Sequence, residues 1–482
     1  MPVKNERTVH KMNEFEKNFD EVHELAVFEK LEYSAPDFVQ LIENKDYKGF
    51  RETIAEIPSA DIAEMMYDVP SEKYAVFFRL LPKDTAAEVF VEMGAEEQIK
   101  LINLFTDREL SEMLDELYID DTVDIIEEMP ANVVKRILRA SGNEERELIN
   151  KLLRYPKDSA GSLMTTEYVR FTREMTVADA LLHIRRVAID KETIYTCYVT
   201  DEDKRLIGIV TAKELLISDL DKKLYEIMEE NVIFVGTGEE KESVALLFEK
   251  YGFLALPVVD AEMRLVGIIT LDDAIEVISE AAEEDFAKMA AITPTEEPYL
   301  KTSLFKVFKS RIPWLLLLML SSSFASAILG RFEGVLPAVL LLFAPMLMGT
   351  GGNAGAQSSV TVIRGISLGE ISFKELPRVI FRELRLSLFV GVSLGVAAFL
   401  KLILIDRFLM QNPGITMSVA LVVATSLAAV VVTAKLVGAS LPLIAKKIGL
   451  DPAVMASPVI TTLVDVISLV LYLIVAKSFL AV

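Results

Sequence analysis

The sequence predicts a multi-domain membrane protein with an all-α superhelical N-terminal domain, an α+β region built from a duplicated unit, and a transmembrane domain of five α-helices. Three observations predict this fold class. The first part repeats every twelve residues, the middle part contains a segment that recurs 59 residues later, and the last part holds five long apolar segments. The net charge divides along the same line, because it is −31 over residues 1–300 and +9 over residues 301–482.

The twelve-residue period predicts that residues 1–154 form a superhelix of short helices. Its segments open at Pro70, Pro82, Gly94, Thr106, Tyr118 and Pro130. The seventh and eighth offsets of every segment are apolar, as in Phe77 with Phe78 and Ile137 with Leu138. Several openings are Pro or Gly, and an opening of this kind followed by an apolar pair is typical of one helix and one turn. Such units stack because none can bury its apolar face alone.

Acidic residues are concentrated in the first turns of these helices. A single acid there is explained by the positive end of the helix dipole. Asp120, Asp121 and Asp124 form a denser cluster, and a metal site is the alternative interpretation for them. The excess of acidic residues also argues against binding to the phosphate backbone of a nucleic acid, because such binding needs a basic surface. We therefore expect no nucleic-acid partner.

The middle region, residues 155–281, contains the repeated motifs R-L-I-G-I-V-T, ending at Thr211, and R-L-V-G-I-I-T, ending at Thr270. Each copy follows an apolar strand and precedes a helix. This unit resembles a CBS domain, so the region resembles a tandem CBS pair. The resemblance implies adenine-nucleotide binding through Thr270 and Asp273, with ATP left open. The first copy has Glu214 where the second has Asp273, and both threonines are also suited to capping the helices that follow.

Five apolar segments in residues 305–482 each reach the roughly 20 residues needed to cross a bilayer. Their approximate limits are 312–330, 334–363, 386–405, 408–434 and 452–476. Basic residues are concentrated beside the start of the first segment, between the second and third, and between the fourth and fifth. The positive-inside rule then predicts a multi-pass protein of the cytoplasmic membrane with a cytosolic N-terminus and an outside C-terminus. The first 25 residues lack an apolar core, which is consistent with no signal peptide.

The second segment contains eleven consecutive small or polar residues, from Gly349 to Ser359. Small residues favour close helix packing, whereas Asn353 and Gln357 require polar partners or water. A packing seam and a pore lining are both consistent with this composition. A helix over the whole 30-residue segment would measure about 45 Å, so we expect a break, a tilt or an extension beyond the bilayer.

The fifth segment contains one carboxylate, Asp465, with Thr461 one helical turn earlier. An acid at a helix centre costs at least about 2.5 kcal/mol on insertion scales, so it usually faces water, an ion or a base. Lys435, at the end of the fourth segment, is the alternative partner.

Together these motifs resemble the MgtE-type magnesium channel family. The glycine-rich element, the D-P-A-V-M-A-S-P-V-I-T-T-L-V-D element of residues 451–465, and the order of the preceding domains carry the resemblance. It implies a homodimeric Mg²⁺-selective channel in the lipid bilayer, with Asp465 and Asn353 at the pore. Thr461 joins them because it shares a helix face with Asp465.

The resemblance also implies that Mg²⁺ binds the acidic cytosolic part and closes the pore. Residues 282–304 would form a connecting, plug-like helix. The expected regulatory ligands are acids of the helical domain and of the segment around this helix: Asp120, Asp121, Asp124, Asp273, Glu276, Glu284 and Asp285. A solvated helix face is the alternative interpretation of the linker acids.

Two other functions are consistent with the sequence. One is a divalent-cation carrier coupled to H⁺ or Na⁺, and the other is a membrane-anchored nucleotide sensor. Selectivity over Co²⁺, Ni²⁺ and Mn²⁺ is open. An enzyme is not expected, because the sequence has no nucleophile and base pair, phosphate loop or HExxH motif.

Overall fold

A computed structural model describes residues 34–294, 300, 302–332, 337–455 and 457–480, so residues 1–33 of the expected helical domain lie outside the described residues. The chain divides into two compact units. The first unit contains the residues up to Glu240 together with Leu254–Thr270. The second contains Lys241–Phe253 and Leu271–Val482.

The first unit begins with short helices joined by tight turns. Their bounds are α1 Ala35–Glu43, α2 Tyr47–Ile54, α3 Ser59–Met66, α4 Tyr74–Leu80, α5 Lys83–Val91, α6 Ala95–Leu104, α7 Asp107–Leu114, α8 Ile119–Glu128, α9 Ala131–Ala140 and α10 Asn143–Leu152. The residues predicted to open the repeats are the caps of these helices: Pro82, Gly94, Thr106, Tyr118 and Pro130 precede α5 to α9 directly. Pro70 precedes a 3₁₀ turn, Ser71–Lys73, that leads into α4.

The apolar pair of each repeat forms the core of the helical array. Eleven of these twelve side chains are buried, and Leu138 is half-buried. Alternate helices are in contact, for example α4 with α6 and α7 with α9. Burial of one such side chain contributes about 1.5–3 kcal/mol to the free energy of unfolding. Each helix buries its apolar pair against neighbouring helices, so the repeats stabilise one another. The predicted twelve-residue unit is confirmed.

The rest of the first unit contains two three-stranded sheets of equal topology. The short helix α11 covers Ala160–Leu163. The first sheet has β1 Tyr168–Thr172, β2 Thr193–Thr200 and β3 Leu206–Thr211, with α12 Val177–Val187 and α13 Ala212–Ile217. The second has β4 Val235–Gly236, β5 Ala255–Val259 and β6 Leu265–Thr270. In both sheets the first pair of strands is parallel and the second antiparallel.

Both copies of the motif have a glycine at the same position because neighbouring atoms leave no space for a side chain there. A Cβ atom on Gly208 would lie 2.7 Å from Met228 Sδ, and one on Gly267 would lie 2.7 Å from the backbone oxygen of Thr165. Both strands therefore need a residue without a side chain at this position. The predicted duplication is confirmed at the level of single contacts.

Thr211 caps α13. Its Oγ1 accepts a hydrogen bond from the Glu214 backbone N–H at 3.2 Å, and a Glu214 carboxylate oxygen accepts one from the Thr211 N–H at 2.8 Å. These reciprocal bonds form a capping box. For the first copy, the capping interpretation is confirmed.

The second unit holds two helices that precede the membrane region, α14 Lys241–Tyr251 and α15 Leu271–Met289, and the apolar helices. The latter are α16 Leu304–Phe332, α17 Ala338–Leu341, α18 Ala344–Ser367, α19 Leu376–Leu400, which continues into a π-helix over Lys401–Leu409, α20 Met417–Lys447 and α21 Ser457–Leu480. Among the described residues, five helical segments are long and apolar enough to cross a membrane. The boundary expected after residue 281 falls inside α15.

The expected break in the second apolar segment lies at Leu342 and Phe343, between α17 and α18. The glycine-rich stretch itself is one continuous helix. Helix α20 packs against α18, α19 and α21, and α21 also contacts α16 and α18.

Glycines of α18 and α20 allow these helices to approach without side chains between them. A Cβ on Gly438 would collide with the Gly355 backbone oxygen, and one on Gly351 would lie 2.6 Å from Ser468 Oγ of α21. Such contacts are shorter than any real Cβ contact, so the expected packing seam is present.

We expect Gly438→Ala to lower the melting temperature of the full-length protein in detergent by several degrees. The added methyl group must separate α18 from α20, and overpacking of this kind costs about 1–3 kcal/mol. Gly349→Ala is the matched control, because a Cβ there meets no atom within 4 Å. Equal melting temperatures for the two variants would contradict the seam.

Candidate functional site

Asp465 lies on α21 beside the glycine-rich helix. Its Oδ1 lies 3.5 Å from the position that a Cβ on Gly352 would occupy, and Thr461 Cγ2 lies 3.3 Å from the same point. Asp465 and Thr461 are both half-buried. Within the described residues, no hydrogen bond or ion pair joins the Asp465 carboxylate to the chain. Asp465 and Thr461 therefore both lie against the glycine-rich helix, and their role at a pore remains a prediction.

Helix α18 carries a polar stripe on the face that the chain leaves exposed. Asn353, Gln357, Thr361 and Arg364 follow at intervals of four, four and three residues, and all four are exposed. This spacing puts them on one helix face. Because α18 is otherwise apolar, an exposed polar stripe along it is expected to face water or another subunit rather than lipid.

These side chains have the chemistry of a hydrated-cation path. Asp465 offers a carboxylate, Thr461 a hydroxyl oxygen and Asn353 an amide oxygen. Mg²⁺ prefers such oxygen ligands, retains several of its waters, and is usually held by one or two carboxylates. The arrangement fits an ion that passes with part of its water shell.

Lys435 has a different partner from the one considered in the sequence. Its Nζ donates to Ser358 Oγ at 2.8 Å and lies 3.4 Å from Glu383 Oε2, and the Ser358 hydroxyl donates to the same Glu383 oxygen at 2.7 Å. Lys435 and Glu383 are 5% and 8% exposed. The alternative prediction of an Asp465–Lys435 pair is therefore wrong, because Glu383 of α19 neutralises this lysine.

Sequence reasoning missed Glu383. It stands among basic residues just before the third apolar segment, as Lys435 stands just after the fourth. Opposite charges at neighbouring ends of two adjacent predicted spans could have indicated this ion pair.

A second acidic site lies in the first unit, where Asp120 approaches Glu167 and Glu192. One carboxylate oxygen from each lies within 4.8 Å of the others. The two glutamates are neighbours because they precede the paired residues Tyr168 and Thr193 of the parallel strands β1 and β2. Sequence reasoning named Asp120 but not the glutamates, whose proximity depends on the pairing of these strands.

The negative potential at this cluster is visible in the pKa of Tyr118. Burial raises this pKa, and the carboxylates of Glu192, Glu167, Asp120 and Asp121 raise it further. The Ile119 backbone N–H, in the first turn of α8, donates to Glu167 Oε2 at 3.4 Å. Asp121 is half-buried and Asp124 is exposed on the same helix, and neither belongs to the three-carboxylate group.

The expected linker acids lie on α15, near loops of the membrane helices. Lys288 Nζ lies 2.6 Å from Glu284 Oε1 and 2.5 Å from Asp451 Oδ2. Asp285 Oδ2 accepts a hydrogen bond from Ser367 Oγ at 3.1 Å. Burial raises the pKa of Asp285, and Asp451 and Glu284 raise it further, whereas Ser367 and Lys288 oppose this shift.

Sequence reasoning missed Asp451 as a charged partner, although it opens the D-P-A-V-M element. The remaining predicted residues lie on neighbouring elements. Thr270 ends β6 and is buried, Asp273 is half-buried in the first turn of α15, and Glu276 is exposed one turn later.

Comparison with known proteins agrees with this order of parts. A model of the MgtE divalent cation transporter matches residues 344–475, a model of the MgtE intracellular N domain matches residues 57–158, and a CBS domain model matches residues 160–221 and 224–280. A magnesium transporter MgtE of Thermus thermophilus is 36% identical over 458 residues, which cover 94% of this chain and 99% of the relative. The chain belongs to the MgtE family.

A second curated relative and a solved structure are also similar to this chain. A magnesium transporter MgtE of Bacillus subtilis is 33% identical over 441 residues, which cover 91% of this chain and 96% of the relative. A crystal structure of the cytosolic domain of the Mg²⁺ channel MgtE in complex with ATP matches 50% of this chain and 99% of that chain, at 37% identity and a TM-score of 0.48. Because the MgtE family is a transporter family, the expectation that the chain is not an enzyme is confirmed.

We expect Lys435→Met to destabilise the full-length protein by about 3–5 kcal/mol, because Glu383 would remain buried without its cation. Lys435→Met combined with Glu383→Gln removes both charges and should recover most of that loss. Melting temperatures in detergent measure both effects. A double variant no more stable than Lys435→Met would contradict the ion pair as the cause.

Proposed function

We propose that this MgtE family member is a Mg²⁺-selective channel that imports magnesium across the cytoplasmic membrane. The observation that carries this proposal is the environment of Asp465. The carboxylate is half-buried in an apolar helix, lies beside Gly352, and has no bonded partner in the described chain. A charge in such a place is stable when a cation or water reaches it.

The proposed pore lies on the two-fold axis of a homodimer. One Asp465 from each chain would provide two carboxylates, which is the number that Mg²⁺ commonly uses while it retains water. The exposed stripe of α18 with Asn353 would line the same path, and Thr461 would offer a hydroxyl oxygen one turn from Asp465. Selection by the size of the hydrated ion follows from this arrangement.

The proposed orientation puts the N-terminus in the cytosol and the C-terminus outside. Basic residues support it, because they are concentrated beside the ends of the spans that would face the cytosol. The acidic first unit would then meet the magnesium that has entered the cell.

We propose that cytosolic Mg²⁺ closes the channel by binding acidic sites. Asp120, with Glu167 and Glu192, is the best-supported site, because three carboxylates converge there. A cation would relieve their mutual repulsion, and its loss would favour separation of these elements. The other proposed ligands are Asp121, Asp124, Asp273, Glu276, Glu284 and Asp285. At Glu284, Mg²⁺ would compete with the ammonium group of Lys288.

Nucleotide binding is a further part of the proposal. Thr270 and Asp273 are three residues apart at the end of β6 and the start of α15, and ATP is the nucleotide we propose for them.

We expect Asp465→Asn to reduce Mg²⁺ flux into liposomes at least tenfold, because it removes the charge and keeps the side-chain volume. Thr461→Val should reduce flux less. Thr462→Val is the matched control, since both hydroxyls donate to carbonyls of their own helix, Thr461 to Pro458 at 3.0 Å and Thr462 to Val459 at 2.9 Å. Unchanged flux in Asp465→Asn would overturn the proposed ion path.

For regulation, Glu167→Gln with Glu192→Gln should raise the internal Mg²⁺ concentration that halves flux by roughly fivefold or more. The exposed pair Glu144→Gln with Glu147→Gln makes the same charge change on α10 and should leave that concentration unchanged. The measurement is flux in liposomes at a series of internal Mg²⁺ concentrations. Equal shifts in the two double variants would show that bulk charge, and not this site, controls closure.

A further inference from the structure

The face of α19 that the described chain leaves uncovered begins with four cations. Lys374, in the turn before the helix, and Arg378, Arg382 and Arg385 are all exposed. Their spacing of four, four and three residues puts them on one side of the helix. We refer to these four residues as the basic stripe.

Within the described chain, no carboxylate oxygen lies within 4.0 Å of a basic-stripe nitrogen. Two acids adjoin the stripe in the sequence, and both bind other groups. Glu375 accepts hydrogen bonds from Ser372 N–H and Ser372 Oγ, and Glu383 binds Ser358 and Lys435. The Arg385 guanidinium lies over the ring of Phe381, 4.7 Å from its centroid. The stripe is therefore a surface of positive charge without a direct ion pair in the described chain, although the Glu375 carboxylate interacts with Arg378 at longer range.

The same face continues into apolar side chains. Phe389, Val392, Val396 and Leu400 follow on this side of α19 and are 76%, 61%, 55% and 48% exposed. The stripe thus ends where an uncovered apolar surface begins. A helix face with this order, cations first and exposed hydrocarbon next, matches the boundary between lipid headgroups and acyl chains.

Distances along the helix locate each cation relative to that boundary. At about 1.5 Å per residue, Arg382 lies about 5 Å from Arg385 and Lys374 about 16 Å from it. The headgroup layer is roughly 5–8 Å thick on each side of the hydrocarbon. With the edge of the hydrocarbon placed next to Phe389, Arg382 and Arg385 would lie at headgroup depth, with Arg378 and Lys374 farther out.

The start of α19 is fixed in position by apolar contacts on its other side. Phe373, Leu376 and Val379 pack against a buried cluster that includes Val362 of α18 and Leu443 of α20. Glu383 also lies on the covered side, where it binds Lys435 and Ser358. The basic stripe is thus held on the outer side of a packed helix.

We propose that the basic stripe binds the anionic headgroups of phospholipids in the cytosolic leaflet, with Arg382 and Arg385 as the main contacts. This rests on the proposed function through the assignment of α19 as a membrane span and through the proposed orientation, and not through ion selectivity. A second copy of the chain is a poor occupant, because a two-fold contact would bring four cations against four cations. Free phosphate would not use the adjacent apolar face.

The position of the site also connects it to the helices of the ion path. Arg382 and Glu383 are consecutive residues, and Glu383 binds Ser358 of the glycine-rich helix. An anionic headgroup at Arg382 would therefore stabilise the turn of α19 that holds α18 and α20 together.

Native mass spectrometry of the purified full-length protein tests this proposal. The protein is given equal amounts of phosphatidylglycerol and phosphatidylcholine, and the retained lipid is counted. We expect preferential retention of phosphatidylglycerol, and a reduction of its affinity by on the order of tenfold or more in Arg382→Gln with Arg385→Gln. Arg382→Lys with Arg385→Lys keeps the charge and should keep most of the binding.

The matched control is Arg185→Gln with Arg186→Gln, which makes the same charge change at exposed positions on α12 and should bind like the unaltered protein. If Arg382→Gln with Arg385→Gln retained as much phosphatidylglycerol as the unaltered protein, the proposal would be overturned. Displacement of the lipid by excess inorganic phosphate would overturn the headgroup assignment. A shift between monomer and dimer without a change in bound lipid would assign the stripe to a protein interface instead. Mg²⁺ flux is measured separately, so its failure does not affect the lipid result.

Discussion

The membrane region depends on one steric constraint, the close approach of α18 to α20 and α21 at glycine residues. A Cβ on Gly438 would collide with the Gly355 backbone oxygen of α18, and one on Gly351 would collide with the Ser468 side chain of α21. Close approach through glycines lets long apolar helices pack without a hydrophobic driving force between them. Because α18 is held at this distance, its Gly352 lies beside Asp465, and its polar stripe remains on the uncovered side.

Two charged groups of the membrane region differ in how their charge is satisfied. Lys435 is neutralised inside the protein by Glu383, with Ser358 completing the hydrogen bonds. Such a group contributes to structure, because removal of either partner leaves a buried charge. Asp465 has no comparable partner within the described residues. In the proposed ion path its counter-charge comes from outside the chain, and a hydrated divalent cation has the charge and ligand preference that fit.

Much of the architecture could be predicted because local sequence patterns determine it. The twelve-residue repeat gave the helix starts, since each cap and apolar pair acts within one unit. The repeated R-L-x-G-I motif predicted two copies of one strand-containing unit. Gly208 and Gly267 have equivalent neighbours, which agrees with that prediction. Contacts between distant segments were harder: Glu167 joins Glu192 only through strand pairing, and Glu383 joins Lys435 only through helix packing. Asp465 could be identified from the sequence because a lone carboxylate in an apolar segment is distinctive without knowledge of the packing.

The most direct test of the central claim is the accessibility of position 465 to a water-soluble thiol reagent. Cys197 is the only native cysteine, so Cys197→Ser provides the background in which Asp465→Cys is introduced. The measurement is the rate at which a small cationic reagent modifies the full-length protein in liposomes, with and without Mg²⁺. The proposed ion path predicts modification that Mg²⁺ slows. An intact protein whose residue 465 is not modified, or is modified at the same rate with Mg²⁺ present, would contradict it.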